Sequence, residues 1–223
     1  MLGHTAIAHL VAPMWVRRDR AVAAMLARFA LAERGSHLTM RWAAEHTSSP
    51  TRRALYLRHA LDELRHARMF ERRAGELGYG GESADADAED LFEALGETGF
   101  LAFVTLAEGR GGREFEGYKR ALAARGDDKT ASLFEAILTD ERRHQSYSLG
   151  LLVESAGSRL RARAWMVRVA LWEAWRSVRR SSAALGSLLY ALVASLLYLL
   201  VLPLFALYVK KKRPVRAGWT LRR

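Results

Sequence analysis

Two short segments of the chain repeat the same pair of chemically active side chains. Glu63 is followed three residues later by His66, and Glu141 is followed three residues later by His144. Residues three apart on a helix share a face, so each pair directs a carboxylate and an imidazole toward one point. Such oxygen and nitrogen groups are ligands for transition metals. If both segments are helical, the spacing indicates metal binding.

Two single carboxylates, each inside an apolar stretch, extend the pattern. Glu33 lies in Leu-Ala-Glu-Arg-Gly, and Glu108 lies in Leu-Ala-Glu-Gly-Arg-Gly. The midpoint of Glu33 and Glu63 is Ser48, in a Thr-Ser-Ser-Pro turn. The midpoint of Glu108 and Glu141 falls beside an Arg-Gly-Asp-Asp break. Residues equally far from a tight turn lie at the same depth in a helical hairpin, so each hairpin is expected to bring its two carboxylates level.

Four long helical patterns must position these residues. Apolar side chains recur at three- and four-residue steps, and turn signals separate the patterns. The predicted helices span residues 19–46, 51–77, 91–124 and 129–155, with a glycine-rich acidic loop over 78–90. Strand patterns are nearly absent. The predicted fold class is therefore all-α, a four-helix bundle with one long crossover between its second and third helices.

The order Glu, Glu-x-x-His, Glu, Glu-x-x-His resembles that of the ferritin-like di-iron carboxylate superfamily, which includes bacterioferritin, rubrerythrin and the demethoxyubiquinone hydroxylases. The resemblance covers about residues 19–157 and all six positions. It implies a ferritin-like bundle with two iron ions, manganese being the alternative. The implied metal ligands, which are also the implied catalytic groups, are Glu33, Glu63, His66, Glu108, Glu141 and His144. The resemblance also implies that Asp62 and Asp140 accept hydrogen bonds from the metal-bound imidazoles.

Five further residues are candidates for roles beside the metals. His37 and His59 lie four residues from the carboxylates of their own helices, and Tyr147 follows the last imidazole by three. We interpret the two histidines as residues that support the ligands or line a pocket, with a seventh metal ligand as the alternative. Tyr147 is a candidate redox-active or hydrogen-bonding neighbour of the site, with simple packing as the alternative. Gly111 and Gly112 share a face with the third-helix carboxylate. They predict a hollow for substrate or O2, with a helix bulge or close helix packing as alternatives.

An uncharged stretch of 27 residues, 183–209, lies near the end of the sequence. As a helix it would be about 40 Å long, enough to cross a bilayer with tilt, and we predict a single-pass C-terminal anchor. Seven arginines in 158–182 and seven lysines and arginines in 210–223 flank it, which favours contact with anionic headgroups. The Trp- and Arg-rich stretch 164–178 predicts either an amphipathic helix on the membrane or a fifth helix packed on the bundle.

The predicted organisation has five parts. They are an apolar N-terminal segment, the ferritin-like bundle, a basic amphipathic linker helix, a transmembrane helix and a basic tail, over 1–18, 19–157, 158–182, 183–209 and 210–223. The first segment carries its charges after its apolar run, which is not the pattern of a signal peptide. We therefore expect a cytoplasmic bundle. The absence of cysteine excludes disulfides and thiolate metal ligands and argues against a typical rubrerythrin.

These features predict a membrane-anchored di-iron oxidoreductase that activates O2, an oxygenase or oxidase acting on a lipid-soluble substrate such as a quinone or acyl lipid. The alternative is a membrane-associated ferroxidase or peroxide-scavenging iron-handling protein. A metal-free interaction module is a third hypothesis, against which the six matched positions argue. The expected partners are the lipid bilayer, O2 and an electron donor. A homodimer stays open, and nucleic acid is not expected.

Overall fold

The computed structural model describes residues 19–81 and 90–212. Its helices are α1 (Asp19–His46), α2 (Pro50–Glu76), α3 (Leu91–Ala124), α4 (Asp128–Ala156) and α5 (Arg159–Leu196), followed by a π-helical turn (Leu197–Val201) and α6 (Leu202–Lys212). Over these residues no strand is present, and the prediction of an all-α fold with four long helices is confirmed. The predicted N-terminal segment 1–18, residues 82–89 of the predicted loop and residues 213–223 of the tail lie outside the described residues.

Short capped turns join the helices into two hairpins, α1–α2 and α3–α4. At the first turn the Ser49 side chain accepts a hydrogen bond from the Arg52 backbone N–H, and Pro50 is the first helical residue. At the second turn Asp127 accepts from the backbone N–H of Thr130 over 3.1 Å. The first N–H groups of a helix have no helical partner, so these caps fix where α2 and α4 begin.

An aromatic layer fills one end of the bundle. Phe29, Phe70, Phe115 and Phe134, one from each of the four helices, meet with ring centroids 5.1–6.0 Å apart. Burying an apolar side chain of this size contributes about 1.5–3 kcal/mol. Because every helix supplies one ring, the layer holds all four helices together at this depth.

A second buried layer lies further along the helices and includes Tyr56 and Phe100, whose ring centroids are 5.8 Å apart. On α2 and α3 the predicted ligand glutamate falls between this layer and the aromatic layer. The two layers therefore flank the region where the carboxylates meet.

A kink in α3 and the residue after it tie this helix to the first turn. Gly96 has φ 66° and ψ 166°, in the positive-φ region that glycine tolerates best. Glu97 then accepts hydrogen bonds from the Thr47 hydroxyl at 2.7 Å and the Arg52 guanidinium at 2.9 Å. The Tyr56 hydroxyl also donates to it, at 3.1 Å. This polar cluster fixes how α3 approaches the α1–α2 hairpin.

The chain divides into two compact units, residues 1–170 and 171–223. In the first unit the early part of α5 packs on the bundle, since Ala162 and Val169 are buried. A Cβ atom added at Gly99 of α3 would come within 3.4 Å of the Trp165 ring. Residues 159–170 thus pack as a fifth helix.

Within the second unit, one helical stretch among the described residues is long and apolar enough to cross a membrane. It spans Leu189–Val209, 21 residues, and none of its hydrophobic window is buried. Pro203 lies two residues after the end of the π-helical turn. Because proline has no N–H to donate, the change of hydrogen-bond register here has a local cause. By length and composition the stretch meets the requirement for the predicted anchor.

Candidate metal centre

The six side chains that the sequence predicts as metal ligands turn into the interior of the bundle at one depth. They are Glu33 from α1, Glu63 and His66 from α2, Glu108 from α3, and Glu141 and His144 from α4. Five of them have exposed fractions of 7 % or less, and the side chain of Glu108 is 11 % exposed. Burial of so many ionisable groups is costly unless they are paired or bind a metal.

The ligand atoms of these residues form two overlapping groups. One group contains Glu33, Glu63, His66 and Glu141, and the other contains His59, Glu63, Glu108 and His144; within each, the ligand atoms lie within 4.8 Å of one another. Glu63 belongs to both groups. A shared carboxylate between two adjacent ligand sets is the arrangement that a dinuclear site requires.

Six buried atoms at the centre of the two groups make no hydrogen bond with any residue that the structure describes. They are Glu63 Oε1, Glu108 Oε2, Glu141 Oε1, His59 Nε2, His66 Nδ1 and His144 Nδ1. Leaving a buried polar atom without a partner costs about 1–3 kcal/mol, so six such atoms facing one region need a common partner. Metal ions provide it, because carboxylate oxygen and neutral imidazole nitrogen donate lone pairs to a cation. The residues therefore fit a dinuclear metal site.

Each of the two predicted histidine ligands is held from outside by an aspartate of the other hairpin. Asp140 accepts a hydrogen bond from His66 Nε2, and Asp62 accepts one from His144 Nε2, both over 3.2 Å. In both rings Nε2 therefore carries a proton, and Nδ1 is the nitrogen that would offer its lone pair to a metal at the centre. A partner of this kind fixes the tautomer and the orientation of a ligand imidazole.

Two arginines complete a charged ring around these aspartates. Arg65 contacts Asp140 at 2.6 Å and Asp62 at 2.9 Å. Arg143 contacts Asp62 and Asp140, each at 2.7 Å. Burial alone would raise the pKa of Asp62, but the contact with His144 and the two arginines lower it below its usual value. Asp62 thus stays ionised as an acceptor.

Crowding of the carboxylates has its largest effect on two of the four glutamates. Burial, and then the charges of neighbouring carboxylates, raise the pKa of Glu33 and of Glu141 well above the usual value for glutamate. Four carboxylates in so small a volume cannot all ionise without added positive charge. The site therefore favours a cation.

The other two carboxylates are governed by the imidazoles. Burial opposes the ionisation of Glu63 and Glu108, yet nearby His59 and His144 lower the pKa of Glu63 well below its usual value and that of Glu108 to about 2. Burial would lower the pKa of His144, but Glu108 and Glu63 raise it to about 10. The interior of the site is thus strongly polar although apolar layers flank it.

The three residues predicted to support the ligands occupy different places. His59 reaches the centre itself, with Nε2 3.1 Å from Glu63 Oε1 and 3.3 Å from Glu108 Oε1. Tyr147 Oη lies 2.6 Å from His59 Nδ1 on the outer side of the ring. His37 does not join either group; its Nδ1 donates to the Ala60 carbonyl at 2.7 Å. The four-residue spacing before Glu63 marked His59, but spacing alone did not indicate direct contact.

The cavity beside the site differs from the hollow that the sequence predicts at Gly111 and Gly112. A cavity of about 280 Å³ lies along α1 and α3 and is lined in part by Met40, Phe103 and Val104, with His59 and Glu108 at the metal centre. Gly111 and Gly112 do not line it.

The two glycines instead face the last carboxylate of the site. A Cβ atom at Gly111 would lie 3.8 Å from Glu141 Oε2, and one at Gly112 would lie 4.0 Å from Glu141 Cβ. Both are ordinary contact distances. The helix is regular at both residues, and a Cβ atom would fit at either one.

Comparison with known proteins bears on the fold. No protein-family model and no curated protein sequence matches the chain. Among solved structures, the bacterioferritin of Desulfovibrio desulfuricans is similar, with a TM-score of 0.50 and 19% sequence identity, covering 66% of this chain and 90% of that chain. The crystal structure of that protein presents its diiron site in different catalytic states. The predicted ferritin-like, all-α fold is confirmed.

Proposed function

We propose that the protein is a membrane-anchored di-iron oxidoreductase that uses O2 on a lipid-soluble substrate. The observation that carries the proposal is the convergence of six buried nitrogen and oxygen atoms without hydrogen bonds on one region of the bundle. Two metal ions in the overlapping Glu and His groups would satisfy these atoms together. The diiron site of the structurally similar bacterioferritin supports iron as the metal.

The donor set narrows the metal further. All candidate ligands are carboxylates and imidazoles, and the chain has no cysteine. Such a set suits iron or manganese better than copper(I) or a cysteine-rich zinc site. Bound in the reduced state, a pair of iron ions would supply electrons to O2.

The protein's own groups provide the orientation that this chemistry needs. Asp62 and Asp140 hold the imidazoles of the opposite hairpins, and Arg65 and Arg143 keep these aspartates in place. Reacting groups would therefore be positioned before substrate arrives, which lowers the cost of reorganisation during reaction.

The cavity along α1 and α3 supports an apolar substrate. Apart from His59 and Glu108, its polar side chains are Ser36 and Thr39, and the others are small or apolar. Its volume of about 280 Å³ is at the lower end of the range for ligand pockets. It therefore suits the end of an acyl chain or a single ring, rather than a large polar molecule.

The apolar helical stretch Leu189–Val209 supports the membrane location. An anchored bundle would search for a lipid-soluble substrate in two dimensions. Basic residues on both sides of the stretch favour anionic headgroups. We propose a quinone or an acyl lipid as the substrate class, and an electron donor that returns the metals to the reduced state.

Iron handling is the second candidate function, favoured by the structural likeness to a bacterioferritin. In that case Fe(II) itself would be the substrate, and the protein would be a ferroxidase or consume peroxide at the membrane. The two functions predict that O2 consumption depends on different substrates, a lipid or quinone in the first and Fe(II) in the second.

The experiment uses the full-length, iron-loaded protein in lipid-free detergent micelles with a chemical reductant. O2 consumption is measured with and without an added quinone or acyl lipid, and the double variant Glu63→Ala, Glu141→Ala serves as the inactive control. The proposal predicts consumption in proportion to added lipid or quinone. Consumption that follows only added Fe(II), whatever lipid or quinone is supplied, would instead support the ferroxidase.

A further inference from the structure

Three imidazoles in the bundle share one arrangement. In His66, His144 and His59, one ring nitrogen contacts a partner outside the site, and the other is buried without a hydrogen bond at the centre. In the first two the outer partner is an aspartate. In His59 the ring is turned the other way, so that Nε2 is central and Nδ1 lies 2.6 Å from the Tyr147 hydroxyl.

We propose that His59 is a seventh metal ligand, through Nε2, and that Tyr147 positions it. The proposal rests on the dinuclear site of the proposed function. With Nε2 bound to metal, Nδ1 carries the proton and donates a hydrogen bond to the Tyr147 oxygen. Tyr147 then does for His59 what the aspartates do for the other two rings, but without a negative charge.

A charged His59 paired with Glu63 and Glu108 would be the alternative explanation for its position. The geometry argues against it, because an imidazolium N–H would point at a carboxylate oxygen, whereas Nε2 makes no hydrogen bond despite contacts of 3.1 and 3.3 Å. His59 also stacks on His144, with ring centroids 3.7 Å apart and planes at 25°. With metal bound both rings would be neutral ligands, so the stack would carry no repulsion between two imidazolium cations.

The extra ligand makes the two metal positions chemically different. The group that contains Glu33 has one imidazole, and the group that contains Glu108 has two. The cavity is lined by His59 and Glu108 of the second group and by no residue that belongs only to the first. The position with two imidazoles is therefore the one beside the cavity, where substrate would approach.

The test uses full-length protein in detergent, loaded with Co(II), and compares the wild type with His59→Gln and Tyr147→Phe. His37→Gln is the matched control, since His37 lies nearby but donates to a backbone carbonyl. Metal content and metal affinity are measured by competition with a chelator. The number of imidazoles per metal comes from X-ray absorption, and paramagnetically shifted N–H resonances count the ligand rings directly.

The proposal predicts three shifted imidazole N–H resonances in the wild type and two in His59→Gln. The X-ray absorption should give about 1.5 imidazoles per metal in the wild type, three rings over two metals, and about one in His59→Gln. His59→Gln should also weaken binding of one metal at least tenfold, by comparison with the effect of losing an outer partner. In Tyr147→Phe the resonance of His59 should persist but exchange faster with solvent, and His37→Gln should match the wild type.

Two results overturn parts of the account separately. If the wild type binds two metals with about one imidazole each and only two shifted resonances, His59 is not a ligand, although the dinuclear site stands. If the wild type binds no metal, the proposed function fails. The wild-type count decides the matter even if His59→Gln does not fold, which circular dichroism checks.

Discussion

The two hairpins carry the same ligand pattern but differ just outside it. His59 precedes Glu63 by four residues, and the equivalent residue before Glu141 is Ile137. Ile137 is fully buried within the apolar cluster that contains the aromatic layer. One side of the site thus presents a polar ring to the cavity, while the equivalent position on the other side is closed by apolar packing.

The same contrast appears after the imidazoles. Tyr147 follows His144 by three residues, and the equivalent residue after His66 is Met69, which packs against the apolar cluster. His59 and Tyr147 contact each other, so the two departures from the repeat form one unit. The repeated pattern therefore supplies the ligands for two metal positions. His59 and Tyr147, which have no counterpart in the other hairpin, make the two positions chemically different and place one of them beside the cavity.

The largest effect is expected where the hairpins are alike. Replacing both Glu63 and Glu141 by alanine removes the shared carboxylate and a second ligand of the first group. Bound metal should fall from about two ions per chain to none, as measured by elemental analysis after desalting. Glu45→Ala, at an exposed position of α1, is the control and should keep both ions. Retention of two ions in the double variant would remove the basis for the site.

The next prediction concerns Ile137, the counterpart of His59, replaced by histidine. Ile137→His replaces a fully buried side chain of the apolar cluster by a polar ring, so apolar contacts are lost and ring nitrogens are buried. The metal-free protein should lose about 2–4 kcal/mol of stability, seen as a lower melting temperature in circular dichroism. Leu149→His, on the exposed surface of α4, should change stability by no more than about 0.5 kcal/mol. Equal losses of stability in Ile137→His and Leu149→His would show that Ile137 is not enclosed by apolar packing.

The third prediction compares the two aspartates. Asp140→Asn weakens the partner of His66, the only imidazole of its group, and should lower metal affinity about 10–100-fold. Asp62→Asn weakens the partner of His144, whose group also contains His59. Asp62→Asn should therefore lower metal affinity less than Asp140→Asn does. Chelator competition measures both, with Asp128→Asn as the exposed control; a larger loss in Asp62→Asn would contradict the inequality of the two positions.

Much of this organisation was predictable from the sequence, and the reasons are local. Pro50 and Gly157 mark where helices start and stop, and Gly157 ends α4 with φ 76°, where glycine is favoured. The two Glu-x-x-His spacings fix which faces turn inward, because three residues are close to one helical turn. The sequence alone therefore predicts that all six ligand side chains face the interior of the bundle, without knowledge of any tertiary contact.

The remainder depends on contacts between distant segments. Spacing put His59 on the right face, but its reach to the centre depends on Tyr147, 88 positions later. The kink at Gly96 carries no neighbouring sequence signal, since glycine also occurs in regular helix at Gly111 and Gly112. The cavity follows from the way α1 approaches α3, so it could not be placed from one helix alone.

The smallest expected effect on stability concerns the capping side chains of α2 and α4, of which only the second is charged. Asp127 caps α4 and also accepts from the Arg73 guanidinium at 2.9 Å. Burial opposes its ionisation, but Thr130 and Arg73 lower its pKa below the usual value. A carboxylate with a lowered pKa stabilises the fold above pH ~4 and loses that contribution as pH falls through its native pKa.

Asp127→Ala should therefore cost about 0.5–2 kcal/mol at pH 7 and progressively less below pH ~4. Ser49→Ala, at the uncharged cap of α2, should cost about 0.5–2 kcal/mol at both pH values. Melting temperatures of the metal-free variants across the pH range check this. A constant difference between wild type and Asp127→Ala down to pH ~3 would show that the carboxylate is not the stabilising group.

The central claim is the dinuclear metal site, and the most direct measurement is an anaerobic titration of the full-length protein with Fe(II). Bound and free iron are separated on a desalting column, and bound iron is counted per chain. The account predicts an end point of about two iron ions that stay with the protein. Iron that elutes entirely as the free ion would contradict it.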